Sequence, residues 1–100
     1  MLKFLTHFFK SGQKVNLEEV IARGAIILDV RTQREYQSGH LKNSINIPLN
    51  ELSGKILNLD KSKPVITCCA TGMRSISAKN ILKENGFSEV YNGGSWTSLR

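Results

Sequence analysis

Cysteine is scarce in this chain: there are two in 100 residues, and they are neighbours, Cys68 and Cys69. A disulfide joining distant segments is therefore impossible, which excludes a disulfide-built scaffold. Two adjacent thiols and two remote histidines, His7 and His40, also lack the ligand spacing of a zinc site. Proline is equally rare, with two residues, and there is no low-complexity tract, so nothing marks a linker or a disordered arm. The formal charge of +6 favours anionic partners in general, but the 14 Lys and Arg residues form no basic run and only seven aromatics are available for stacking. No nucleic-acid partner is expected on that basis. No apolar run is long enough to cross a bilayer, so no transmembrane segment is expected.

What the chain does contain suits one folded unit. One hundred residues with 40% hydrophobic side chains can bury a normal core but leave no room for a second one. Residues 1–14 read as an apolar N-terminal extension and residues 15–100 as the single domain. Within the extension, Thr6 and His7 interrupt the apolar stretch, and Lys10-Ser11-Gly12-Gln13 follows without a small-residue cleavage pattern. The expectation is a helical turn packing Leu5, Phe8 and Phe9 on the body of a cytoplasmic, monomeric protein.

Further along, Asn16-Leu17-Glu18-Glu19 sets a capping side chain three residues ahead of a glutamate, with Gly24 as a stop; a short helix is expected over Leu17 to Ala22. Ala25 to Val30 is a continuous apolar run with an acid near its end, as in a strand covered on both faces. Thr32-Gln33-Arg34-Glu35 repeats the capping box, and Gly39 closes that helix. Ser44 to Ile47 makes a second short strand ended by Pro48, and helical turns fill Leu49 to Leu59. Pro64 to Cys68 reads as a third, central strand. Ser75 to Glu84 reads as a helix with Ile76, Ala78, Lys79, Ile81 and Leu82 on a mainly apolar face. Glu89 to Tyr91 is the last short strand. Strands alternating with helices imply an α/β fold: a small, open, mostly parallel sheet with helices on both faces.

The segment that carries chemistry is Cys69-Ala70-Thr71-Gly72-Met73-Arg74-Ser75, between an apolar strand and a helix. A thiol at such a turn lies near loop amides and the positive end of the following helix, both of which favour a thiolate. Gly72 permits a backbone that points successive amides inward as an anion nest. Arg74 adds a forked cation suited to an oxyanion or to the sulfur itself.

These residues resemble the rhodanese-like family, whose active loop runs Cys-x-x-Gly-x-Arg, matched by Cys69, Gly72 and Arg74. Leu28-Asp29-Val30-Arg31, Glu35-Tyr36, Gly39-His40-Leu41 and Asn46-Ile47-Pro48 are similar to its first block in order and spacing. Gly86-Phe87, Val90-Tyr91 and Gly93-Gly94 with Trp96 are similar to its closing strand and glycine pair, so the likeness runs from about Val15 to Trp96. It implies a rhodanese-like fold and a sulfurtransferase. Cys69 would be the catalytic nucleophile, Ala70, Thr71, Gly72, Met73 and Arg74 the substrate-binding loop, and Asp29 and Arg31 supports of the site rim. The donor would be a small sulfur-containing anion such as thiosulfate, or a persulfide. The acceptor would be cyanide or a thiol, including one on a protein, and neither a metal nor an organic cofactor is needed.

Two rivals are weighed against this. Phosphatases and arsenate reductases resemble Cys-x5-Arg, whereas four residues separate Cys69 from Arg74, which gives a cradle better suited to sulfur than to phosphate. A sulfur carrier or protein-interaction module on the same fold would keep Cys69 without turnover. Ala70, Thr71 and Met73 bring no charge to the loop, which points to a donor other than free thiosulfate. Strand alternation turns Cys68 away from the site, and His40 is assigned a structural role.

Overall fold

The computed structural model describes residues 6–8 and 14–100. The chain opens with an antiparallel pair, β1 (Thr6–Phe8) on β2 (Lys14–Asn16), in which Thr6 lies opposite Asn16 and Phe8 opposite Lys14. This corrects the helical turn expected there: Thr6, Phe8 and Val15 are β-branched or aromatic types that favour a pleated pair. The expected packing of the Leu5, Phe8 and Phe9 side chains lies outside what is described.

The remaining elements follow the alternation read from the sequence. α1 (Leu17–Ala22) starts at Asn16, whose Oδ1 accepts the amides of Glu18 at 3.0 Å and Glu19 at 3.4 Å. Then come β3 (Ile26–Asp29), α2 (Gln33–Gln37), β4 (Ile45–Asn46) and α3 (Leu49–Leu52), the last continued by a 3-10 stretch over Ser53–Asn58. β5 (Val65–Cys69), α4 (Met73–Glu84), β6 (Val90–Ser95) and a 3-10 turn over Trp96–Leu99 complete the fold. The second capping box is reciprocal: the Glu35 amide donates to Thr32 Oγ1 at 3.2 Å and the Thr32 amide to Glu35 Oε1 at 3.0 Å. Among the described residues, no helix is long and apolar enough to cross a membrane.

The main sheet has the order β4-β3-β5-β6, every pair parallel. From β3 the chain first moves outward to β4, then crosses back past β3 to β5 and on to β6. The strand order therefore reverses between β3 and β5, and ligands of open parallel sheets settle at the carboxyl ends of the strands at such a point. Cys69 ends β5 and Asp29 ends β3, so both lie there.

Both faces of the sheet are covered, which explains why β5 is buried along its whole length. On one face Leu28, Val65, Cys69 and Val90 pack with Leu52 of α3 and Ala78 and Leu82 of α4. On the other, Ile66 and Cys68 pack with Leu17 and Val20 of α1 and with Leu99. Alternation along β5 thus sends its two cysteines to opposite faces.

Two boundaries differ from the expectation by more than one residue. α4 begins at Met73 rather than Ser75, because Gly72 takes φ +100° as its N-cap and lets the helix start directly on the loop. β6 runs to Ser95 rather than stopping at Tyr91. A register shift opposite Thr67 to Cys69 accommodates the glycine pair within the strand. At Gly93 a Cβ would sit 2.9 Å from Ile66 Cγ2 and from the Thr67 carbonyl, so β6 can approach β5 this closely only with glycine.

Candidate active site

Cys69 has no solvent exposure and lies under its own loop. The Gly72 amide donates to its Sγ at 2.9 Å, and Ser75 Oγ lies 3.6 Å from the same sulfur. Burial works against a thiolate here, but the Ser75 hydroxyl and the amides of Ser75, Gly72 and Thr71 outweigh it, and the thiol is held below its ordinary value. The positive end of α4 adds to this bias. The nest anticipated from Gly72 is therefore formed around the sulfur.

Ser75 closes the Cys69-to-Ser75 segment without a role assigned from sequence, yet it is fully buried and its hydroxyl lies beside Cys69. Its single hydroxyl proton has two oxygen acceptors within reach, the Gly72 carbonyl at 2.9 Å and Asn92 Oδ1. Asn92 is held with its oxygen inward because the Gly94 amide donates to the same Oδ1 at 2.9 Å. When Cys69 is a thiol, its S–H can donate to Ser75 Oγ. When it is a thiolate, the hydroxyl can turn to donate to sulfur. Thr67 Oγ1, buried, donates to the Ser75 carbonyl at 2.8 Å and ties the first turn of α4 to β5.

Arg74 does not aim its fork at the sulfur, as the sequence suggested. Its Nη1 and Nη2 donate to Glu35 Oε1 and Oε2 at 2.7 and 2.9 Å. That guanidinium, helped by the Thr32 amide, lowers the Glu35 carboxyl to about 2. The two side chains are about one-third exposed, and nothing in the local sequence around either residue signals their pairing.

Asp29 and Arg31 form an ion pair at the carboxyl end of β3. Asp29 is fully buried and Arg31 nearly so, with Arg31 Nη2 donating to Asp29 Oδ2 at 2.7 Å and Nε to Oδ1 at 3.0 Å. Arg31 also donates to the carbonyls of Glu35 at 3.3 Å and Gly39 at 2.7 Å, and its guanidinium lies over the Trp96 ring at 4.7 Å. Through Arg31 the buried pair therefore holds the middle of α2 and the turn just past its end, and α2 is the helix that presents Glu35 to Arg74. Ala70, Thr71 and Met73 are exposed around the mouth of the site, and Gly72 is buried beneath them.

A thiol held by loop amides at the end of a central parallel strand is the arrangement the sequence resemblance implied, and comparison with known proteins agrees. The Rhodanese-like domain family matches residues 14–98. The chain belongs to the rhodanese-like family. A thiosulfate sulfurtransferase of Escherichia coli, PspE, is 41% identical over 69 residues, covering 67% of this chain and 66% of that protein. The uncharacterized protein YqhL of Bacillus subtilis is 37% identical over 70 residues, covering 70% of this chain and 56% of its own length. The match thus spans less than two thirds of either relative. Among solved structures, a rhodanese with anions from E. coli superposes with a TM-score of 0.70 at 36% identity, over 75% of this chain and 91% of that one.

In this rhodanese-like chain the second cysteine is set apart from the first. Cys68 lies in the opposite core cluster, where burial and the nearby Asp29 carboxylate push its thiol up to about 12. His40 stacks on Tyr36 with ring centroids 3.8 Å apart, and its Nδ1 meets the Tyr36 carbonyl at 2.7 Å, at the end of α2.

Proposed function

We propose that this rhodanese-like chain is a sulfurtransferase that carries sulfane sulfur as a persulfide on Cys69. The observation that carries the reading is the buried Sγ under the Gly72 amide and beside Ser75, since those donors serve a thiolate before transfer and an anionic persulfide after it. The Cys69 thiolate attacks the outer sulfur of a donor such as thiosulfate. A new S–S bond forms, the old one breaks, and its electron pair leaves with sulfite. A thiol or cyanide then attacks the outer sulfur of the persulfide and returns Cys69 as thiolate. The residues from Ala70 to Arg74 form the binding loop, and Asp29 and Arg31 hold its rim. All electrons stay in the sulfur bonds, so the cycle asks for no redox cofactor.

The test is thiocyanate formation from thiosulfate and cyanide by the wild-type chain, Cys69→Ser and Cys68→Ser. Turnover in the wild type and Cys68→Ser that is lost in Cys69→Ser supports the enzyme. Turnover that survives in Cys69→Ser removes Cys69 from the mechanism. A persulfide that forms without turnover leaves a sulfur carrier in place of an enzyme.

A further inference from the structure

The nature of the sulfur donor can be taken further, on the footing of the persulfide reading. The loop from Cys69 to Arg74 has one cation, and Glu35 closes on its fork with both carboxylate oxygens. The pairing is built in, because Arg31 holds the carbonyl of Glu35 itself and that of Gly39 just past the helix that carries Glu35. A dianionic donor would have to displace Glu35 to reach Arg74. Beside Arg74 opens a recess of about 290 Å³ lined by Val30, Thr32, Pro48, Leu49 and Asn50. Its lining is mainly apolar, and a cavity of about 150 Å³ already accommodates a benzene ring.

We propose that Glu35 and this recess make Cys69 selective for monoanionic sulfane donors carried on an apolar organic group, over thiosulfate. Glu35 cancels the attraction for a second negative charge, and the recess receives the organic group. With a thiosulfonate, R–SO2–S⁻, the Cys69 thiolate bonds to the terminal sulfur and the S–S bond breaks. The sulfinate R–SO2⁻ leaves with the electron pair, so atoms and charge balance.

Three donors separate the two contributions: thiosulfate, methanethiosulfonate and benzenethiosulfonate. Each kcat/KM is divided by that donor's rate with a free small thiol, so that intrinsic reactivity cancels. The first pair differs chiefly in charge, the second in the apolar group. The wild type is expected to prefer benzenethiosulfonate over methanethiosulfonate by about tenfold, and methanethiosulfonate over thiosulfate. Glu35→Gln keeps the capping box, which accepts glutamine, and frees the fork. It should raise the value for thiosulfate about fivefold relative to methanethiosulfonate, the weight of a partly exposed ion pair. Asn50→Trp, at the exposed edge of the recess, should reduce the benzene-to-methane ratio several-fold. Normalised thiosulfate turnover equal to that of benzenethiosulfonate, or ratios untouched by both substitutions, overturns the selectivity while Cys69 chemistry stands. Failure of all three donors to charge Cys69 overturns the persulfide reading and this proposal with it.

Discussion

Replacing Ser75 with alanine removes the side-chain hydroxyl closest to Cys69 and leaves the loop amides in place. Ser75 is fully buried, so water cannot readily take over the missing donor. A hydrogen bond to a charged partner contributes about 1.5–3 kcal/mol. Here the contact is long, at 3.6 Å, and the proton is shared with the Gly72 carbonyl and Asn92, which places the effect at the low end of that range. About 1.5 kcal/mol corresponds to roughly a tenfold fall in kcat/KM for sulfur transfer near neutral pH. Part of the fall reflects a smaller thiolate fraction, because the hydroxyl holds the Cys69 thiol down against burial. The pH profile should therefore move to the alkaline side, and the gap to wild type should narrow as pH approaches the ordinary thiol range of about 8.5. The assay is kcat/KM for thiocyanate formation across pH, with circular dichroism to verify folding. An unchanged kcat/KM with an unshifted profile would refute the argument and leave the amides alone as the stabilising group.

Three further outcomes follow from the geometry. Cys68→Ser should keep sulfur transfer but lose about 1–2 kcal/mol of stability in urea unfolding, because a hydroxyl enters an apolar cluster; loss of transfer in a folded variant would assign Cys68 a chemical role. Gly93→Ala should cost about 1–3 kcal/mol, since its Cβ must displace Ile66 or the Thr67 carbonyl, and a neutral effect on the unfolding midpoint would contradict the close approach of β6 to β5. Glu35 titrates at about 2 in the folded chain against an ordinary 4.5, so its pair with Arg74 stabilises fully above pH 4.5 and fades as pH falls toward 2. Solvent screening limits this to about 0.5–1 kcal/mol, and an acid unfolding limb that is unchanged in Glu35→Gln would show that the pair contributes nothing.

The sequence carried most of the scaffold because its local signals agree with one another. Asn16 and Thr32 cap the helices they were expected to cap, and the mostly apolar segment leading to Cys69 is the central strand of a sheet covered on both faces. Cys68 and Cys69 separate as strand alternation requires. Less was legible where long-range contacts override local preference. A glycine pair ordinarily signals the end of a strand, yet β6 continues through it: β5 leaves no space for a side chain at Gly93, and Gly94 takes a positive φ. The Arg74 fork closes on Glu35 across 39 positions of sequence, and motif spacing holds no information about that partner. Asn92 enters the site only because β6 lies beside β5, which brings it to Ser75. The N-terminal strand was missed because its apolar residues fit either a helical turn or a pleated pair, and the pairing with Lys14–Asn16 decided between them.

The central claim is that sulfur resides on Cys69, and intact mass spectrometry of the chain before and after incubation with a sulfane donor tests it most directly. The account predicts a gain of one sulfur atom in the wild type and in Cys68→Ser, none in Cys69→Ser, and removal of the added atom by cyanide. A gain that persists in Cys69→Ser, or no gain from thiosulfate or either thiosulfonate, would contradict it.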